Sequence, residues 1–201
     1  MAKSVLIIAS DGSEEIELIT TADVLRRAGL EVSIAGIQDR ASIQCAQKTS
    51  LNVDTSLCGI AGRTFDAVVM PGGQPGTNQL SEDARVGEIL RRHEAGGKLL
   101  GAICAAPLAF KSHGIAKGGT VTSYPSVKNE LVAAGYNYSD DDVCVWENVV
   151  TSRGPGTAFA FALKIAERLV GAEKARSVGS DMLVCCCYKL PHSLSHGPGA
   201  L

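Results

Sequence analysis

The sequence predicts an α/β fold in which a mostly parallel sheet is covered on both faces. Three observations carry that prediction. Short uninterrupted apolar runs, the pattern of strands buried on both sides, stand at 5–9, 67–70 and 99–103. Helical stretches alternate with them, as a parallel sheet requires of its crossover connections. The 22 glycines and only 4% aromatic residues suit many tight turns between such elements. A chain of 201 residues fits one domain, or one domain with a tail, and is long enough to bury a full core without disulfides or metal.

Val5-Leu6-Ile7-Ile8-Ala9 is the first strand, and Ser10-Asp11-Gly12-Ser13 breaks it. A helix follows from about Glu14 to Ala28, with Ile16, Ile19, Val24 and Leu25 on or near one face and Gly29 as its stop. Val32 to Ala35 is a second strand. The stretch 37–60 is mixed, with weak alternation around Leu51 and Val53. Ala67 to Met70 is a third buried strand, ended by Pro71-Gly72-Gly73. Ser81 can cap a helix that runs to Glu94, and Gly96-Gly97 ends it. Lys98 to Ile103 is another buried strand, and Pro107 suits the first turn of a short helix after it. Val121-Thr122, Val143 to Val145 and Val149 to Thr151 are short strand candidates. Thr157 to Val170 is a strongly apolar helix. There is no internal repeat and no interdomain linker. Residues 1–184 read as one domain. Residues 185–201 read as a divergent tail, mobile from Pro191, because Pro, Gly, Ser and His have little to bury.

Composition excludes several functions. Nineteen basic and 21 acidic side chains leave a net charge of −2, so no basic excess exists to track nucleic acid or a membrane surface. No apolar run is long enough for a membrane span or a signal peptide, and no lipidation or retention motif stands at either end. The expected compartment is therefore the cytoplasm, with nuclear or mitochondrial pools compatible with it. The seven cysteines are odd in number and show no CxxC spacing, which reads as reduced thiols. The four histidines, at 93, 113, 192 and 196, are too scattered for a metal site. No GxGxxG, GxxxxGK[ST], HExxH or GxSxG motif occurs, so no cofactor or metal is expected.

The informative segment is Gly101-Ala102-Ile103-Cys104-Ala105-Ala106-Pro107. A buried strand runs straight into a helix start, with small residues on both sides of one cysteine. That pattern permits a sharp turn that exposes a nucleophile, and a helix N-terminus beside the sulfur favours thiolate. The alternative is a structural cysteine, since free cysteine is among the most buried residue types. A thiolate needs a proton partner and donors for a developing oxyanion. The loop after the first strand supplies Glu14-Glu15-Ile16-Glu17, and the loop after the third supplies Gly72-Gly73. Ligands of open parallel sheets bind at the carboxyl ends of strands, so these loops should converge on Cys104. Glu14 and Glu17 lie one helical turn apart and can share a face, while Glu15 suits the helix dipole.

These pieces together resemble the Parkinsonism-associated deglycase (DJ-one) family of the ThiJ/PfpI superfamily. The matching segments are Glu14 to Glu17, Asp23 to Gly29, Pro71 to Gly73, Ala102 to Pro107 and Thr151 to Thr157. Their order and spacing extend the resemblance over residues 3–184. The resemblance implies a flavodoxin-like three-layer sandwich of the class I glutamine-amidotransferase type, and a homodimer. It implies that Cys104 is the reactive cysteine and Glu17 the acid beside it, with Gly73 and Ala105 offering backbone N–H groups. Glu14, Gly72, Arg27 and Arg153 would support the site. Tyr124 stands where relatives often carry histidine, and Gln47 where they carry arginine. The Cys185-Cys186-Cys187 run has no counterpart; it reads as an apolar continuation of Leu183-Val184, against palmitoylation or metal binding.

An ionised Glu17 would repel a thiolate, whereas a protonated Glu17 would donate a hydrogen bond to it. A reactive Cys104 therefore requires a neutral Glu17, which burial can maintain. The implied activity is cofactor-independent conversion of methylglyoxal and related dicarbonyls, or repair of glycated protein groups, with a part in oxidative-stress protection. The competing reading is a redox-sensing chaperone or interaction protein whose cysteine is oxidised to sulfinate. A cysteine protease is less favoured, because such superfamily members place histidine directly after the nucleophile and this chain has Ala105.

Overall fold

Val5 to Ala9, apolar without interruption, has no face that water could solvate, and all five residues are fully buried at the centre of a sheet. The computed structural model describes residues 2–60 and 62–184. In order they form β1 (Ser4–Ala9), α1 (Glu15–Arg27), β2 (Glu31–Gly36), β3 (Ser42–Gln44), β4 (Ser50–Asn52), β5 (Thr55–Ser56), α2 (Leu57–Ile60), β6 (Ala67–Met70), α3 (Gln74–Glu82), α4 (Ala84–Ala95), β7 (Leu99–Ile103), α5 (Pro107–His113), β8 (Thr120–Val121), α6 (Lys128–Ala133), β9 (Asn137–Tyr138), β10 (Val143–Trp146), β11 (Val149–Ser152), α7 (Ala158–Val170) and α8 (Ala172–Asp181). The main sheet has the order β10-β11-β7-β6-β1-β2-β5 and is parallel except where β10 pairs antiparallel with β11. Helices α1, α7 and α8 pack together, and so do α3, α4 and α5, so that the sheet lies between two helical layers. This is the three-layer sandwich of the class I glutamine-amidotransferase type. The cysteine run at 185–187 and the tail lie outside the described residues.

Several boundaries differ from the sequence reading. Ser81 does not cap a helix; it lies inside α3, which starts earlier because Pro75 presets its first turn. The cap belongs to Asp83, whose side chain accepts from Arg85 N at 2.9 Å and starts α4. On α1 the buried face is Glu17, Leu18, Thr21, Ala22, Val24 and Leu25, whereas Ile16 and Ile19 are 53% and 45% exposed. Successive helix residues turn by about 100°, so Ile16 and Ile19 share an arc that points away from the sheet. The mixed stretch is the hairpin β3–β4, with Ile43 opposite Leu51, followed by the edge strand β5 and α2. Thr122 lies past the end of β8, which pairs with β9 in a separate ribbon. Helices α6 and α8 were not signalled; both are short and polar on their outer faces, so periodicity was weak.

Candidate active site

Strands β11, β7, β6 and β1 are neighbours in that order and mutually parallel, so their carboxyl ends form one edge. The loops leaving that edge carry the residues that the sequence singled out. Cys104 ends β7 with φ 63°, a left-handed conformation that costs a non-glycine residue about 1–3 kcal/mol. The turn is held from both sides. Cys104 N–H donates to the Ser152 carbonyl at the end of β11 at 3.0 Å, and the Cys104 carbonyl accepts from Tyr124 N–H at 2.8 Å. Pro107 then opens α5 three residues on.

The β6–α3 loop lies directly against this turn. A Cβ added at Gly72 would stand 2.5 Å from Cys104 Cβ and 2.8 Å from the Ile103 carbonyl, so only glycine fits there. Gly73 has φ 88°, and its Cβ would run into the Gly12 carbonyl and Glu14 N. Two glycines therefore let a backbone loop approach the sulfur. The backbone N–H groups of Gly73 and Ala105 both act on the Cys104 thiol, each favouring its thiolate against the effect of burial.

Glu17 projects from the first turn of α1 into the same space and is fully buried. Its Oε2 accepts from Gly72 N–H at 2.7 Å. Its Oε1 is buried with no hydrogen-bond partner, and the Cys104 side chain is among the groups that act on this carboxyl. Glu14 caps α1, its carboxylate accepting from Glu17 N–H at 2.7 Å. Glu14 N–H in turn donates to the Gly72 carbonyl at 2.9 Å. Glu14, Glu17 and Gly72 thus form one hydrogen-bonded unit, and Gly72 packs directly against Cys104 and Ala105.

Burial raises the Glu17 carboxyl from 4.5 to about 7, with the Glu14 charge adding to the rise and the Gly72 N–H opposing it. Burial also raises the Cys104 thiol, to about 12, and an ionised Glu17 beside it adds to that. The Gly73 and Ala105 N–H groups oppose the rise but do not overcome it. This corrects the expectation that the helix start alone would favour thiolate: α5 contributes donors, but the site is too dry for them to win. The two groups titrate as a pair. With Glu17 ionised, the sulfur keeps its proton. The thiolate is favoured only in the form where the proton sits on Glu17.

Cysteine burial by itself does not mark the site. Burial pushes Cys45 up to about 11 and raises Cys144 as well. Neither of these has a positive φ, and among the described cysteines Cys104 alone combines one with a buried carboxyl and two backbone donors.

Tyr124 is 47% exposed and stands at the rim. With Pro125, Asp142, Arg153, Gly154 and Thr157 it lines a cavity of about 220 Å³. Thr157 shapes that wall, its Oγ1 bonding Gly154 N at 3.1 Å and Ser152 Oγ at 2.7 Å. Arg153 donates to the Asp140 carbonyl at 2.8 Å. Arg27 is not brought to Cys104. It lies at the far end of α1 and pairs with Asp23 at 3.0 Å. Sequence reasoning missed Ser152, which acts through its backbone carbonyl and leaves no side-chain signal. It also missed Asp142, one of three consecutive aspartates that resemble any solvated loop. Among the described residues no group of three His, Cys, Asp or Glu side chains could hold a metal ion, and no helix is long and apolar enough to cross a membrane.

The chain is similar to known proteins over most of its length. The profile of the DJ-1/PfpI family matches residues 3–168. Protein dj-1beta of Drosophila melanogaster is 49% identical over 185 residues, covering 92% of this chain and 98% of that protein. Its crystal structure superposes with a TM-score of 0.90 over 92% of this chain and 100% of that one. The glutathione-independent glyoxalase DJR-1.2 of Caenorhabditis elegans is 42% identical over 175 residues, covering 87% of this chain and 92% of that protein. The structure of oxidized Toxoplasma gondii DJ-1 is 34% identical with a TM-score of 0.87, covering 90% of this chain and 98% of that one.

Proposed function

The chain belongs to the DJ-1/PfpI family, and from that premise we propose that it is a cofactor-independent enzyme of the glyoxalase type acting on methylglyoxal and related small dicarbonyls. The observation that supports this reading is the buried Glu17 carboxyl set against Cys104, with the Gly73 and Ala105 N–H groups on the same sulfur. The similarity to a glutathione-independent glyoxalase supports it from a second direction.

In this reading the Cys104 thiolate attacks the aldehyde carbon of methylglyoxal. A carbon–sulfur bond forms, and the carbonyl oxygen takes the proton that Glu17 held, giving a hemithioacetal. The Glu17 carboxylate then removes the proton from that carbon, an enediol forms, and the proton returns to the adjacent carbon. The product is a lactoyl thioester on Cys104. Water cleaves it, releasing lactate and restoring the thiol pair. The substrate's own carbons exchange oxidation states, so no external oxidant or reductant enters. Adducts of the same dicarbonyls on protein groups are the second substrate class of the reading. Purified protein incubated with methylglyoxal in the absence of glutathione should form lactate, and Cys104→Ser should form none while keeping its fold. Lactate from the serine variant would overturn the reading.

A second reading rests on the same unit. A protonated Glu17 and two N–H donors can each hold an oxygen of a cysteine sulfinate, and a relative from Toxoplasma gondii is described in an oxidized form. Peptide mass mapping after mild peroxide should then show two oxygen atoms gained at Cys104 ahead of the exposed Cys58. Earlier oxidation of Cys58 would remove this reading.

A further inference from the structure

Glu17 and Cys104 account for the chemistry, but neither explains why a second carboxylate, the half-buried Glu14, stands at the entrance to α1. Glu14 occupies the cap position, and helix caps are normally filled by shorter polar side chains. Its longer side chain reaches over the first turn to the Glu17 N–H at 2.7 Å, while its own N–H reaches the Gly72 carbonyl at 2.9 Å. Gly72 N–H is the donor on Glu17 Oε2. Glu14 therefore fastens both partners of the Glu17 carboxyl: the turn that carries it and the loop that receives it.

We propose that Glu14 is a positioning residue for the Cys104–Glu17 pair: its cap aims Glu17 at the sulfur, and its negative charge, one helical turn away, holds the shared proton on the Glu17 carboxyl. The second half of this follows from like-charge repulsion between the half-buried Glu14 and the fully buried Glu17, one helical turn apart. Moving the proton from Glu17 to sulfur would put a second carboxylate beside Glu14. Leaving it on Glu17 puts the negative charge on Cys104, on a different loop, where the Gly73 and Ala105 N–H groups favour it. The Glu14 charge is among the causes that raise Glu17 and is not among those acting on Cys104.

The other surroundings of Glu17 are accounted for. From the β6–α3 loop it faces the neutral Gly72 N–H, and from the β7–α5 turn it faces Cys104. On its own helix Glu15 turns outward to accept from Gln47 N–H at 3.0 Å. Helix α7 packs along α1, and its charged pair Lys164 and Glu167 bond to each other at 2.7 Å.

The inference deepens the proposed function, because it names what holds the proton where that mechanism needs it. Its test nevertheless does not use turnover. The proton on Glu17 is followed by the carbon-13 signal of its carboxyl in isotopically labelled protein, and the thiolate by the rate of Cys104 alkylation with iodoacetamide. Glu14→Gln keeps an oxygen for the Glu17 N–H but removes the charge. It should move the Glu17 midpoint about one pH unit toward acid and slow Cys104 alkylation at neutral pH several-fold. Glu14→Asp keeps both a charge and a good cap and should restore most of both signals. An unchanged midpoint and alkylation rate in a folded Glu14→Gln would leave Glu14 a helix cap only and overturn the inference. If the midpoint moves as expected but no lactate forms from methylglyoxal in the native protein, the functional reading fails and the positioning role stands.

Discussion

At the scale of single residues the account turns on where one proton sits. Glu17 is raised from 4.5 to about 7, so the native state keeps a proton that the unfolded chain releases. The unfolded state binds fewer protons in that window, and stability therefore falls as pH rises from about 4.5 to about 7. At about 1.4 kcal/mol per unit this amounts to roughly 3 kcal/mol. Denaturant unfolding across that range should show the fall in the native protein and not in Glu17→Gln, whose amide cannot ionise. Equal slopes would mean that the carboxyl is not desolvated. Tyr124 belongs to the rim and not to the pair. Its backbone N–H donates to the Cys104 carbonyl, and its ring is half exposed. Tyr124→Phe should accordingly change KM more than kcat in methylglyoxal turnover. A kcat loss as large as that of Glu17→Gln would place the phenol in the chemistry. Cys104 stood out as a candidate because one cysteine sits among small residues at a strand end, while only the family resemblance singled out Glu17 over Glu14. Ser152 was not legible, since any residue offers a carbonyl. The resting thiol was not legible either, because dryness depends on what packs over the turn.

At the scale of elements, local signals worked where the chain satisfied its own backbone and failed where distant groups did. The buried strands β1, β6 and β7 needed only an apolar run, and the structure places them within a residue of the sequence reading. The start of α4 was misplaced because its cap is tied to a remote segment. Asp83 accepts from Arg85 N, and Arg85 also bonds the Ile37 carbonyl at 2.7 Å and Asp39 at 2.6 Å. The cap thereby fastens α4 to the loop after β2. Removing it by Asp83→Ala should cost about 1–2 kcal/mol in denaturant unfolding, with catalytic constants unchanged. A loss within a few tenths would mean that water or a neighbouring residue replaces the cap. The same logic explains α1: apolar type alone put Ile16 and Ile19 on the inner face, whereas the turn geometry that carries Glu17 inward carries them outward.

At the scale of the whole molecule, the parallel order β11-β7-β6-β1 delivers four loops to one edge, and the site is the sum of what those loops carry. That convergence was legible before any coordinates, because alternating strands and helices leave few topologies. What the chain does with its outer surface was not. Ile16 and Ile19 on α1 and Phe159 at the start of α7 are exposed apolar side chains on two helices that pack together. We propose that this surface pairs two copies of the chain, in line with the homodimer that the family resemblance implies. Sedimentation should give a dimer for the native protein and a monomer when Ile16 and Ile19 are replaced by lysine. A dimer that survives both replacements would put the interface elsewhere.

The central claim is that nucleophile and proton carrier are separate groups sharing one proton, and Glu17→Gln separates them. Its amide can still donate to sulfur but cannot carry a proton between carbons. With the neighbouring charge gone, its Cys104 should ionise below the value of about 12 that burial and Glu17 impose in the native protein. Lactate formation from methylglyoxal should nonetheless fall by at least about 100-fold. The deciding measurement is thiol titration and turnover on the same Glu17→Gln sample: an easier thiolate with lost turnover is the predicted result, and undiminished turnover would contradict the account.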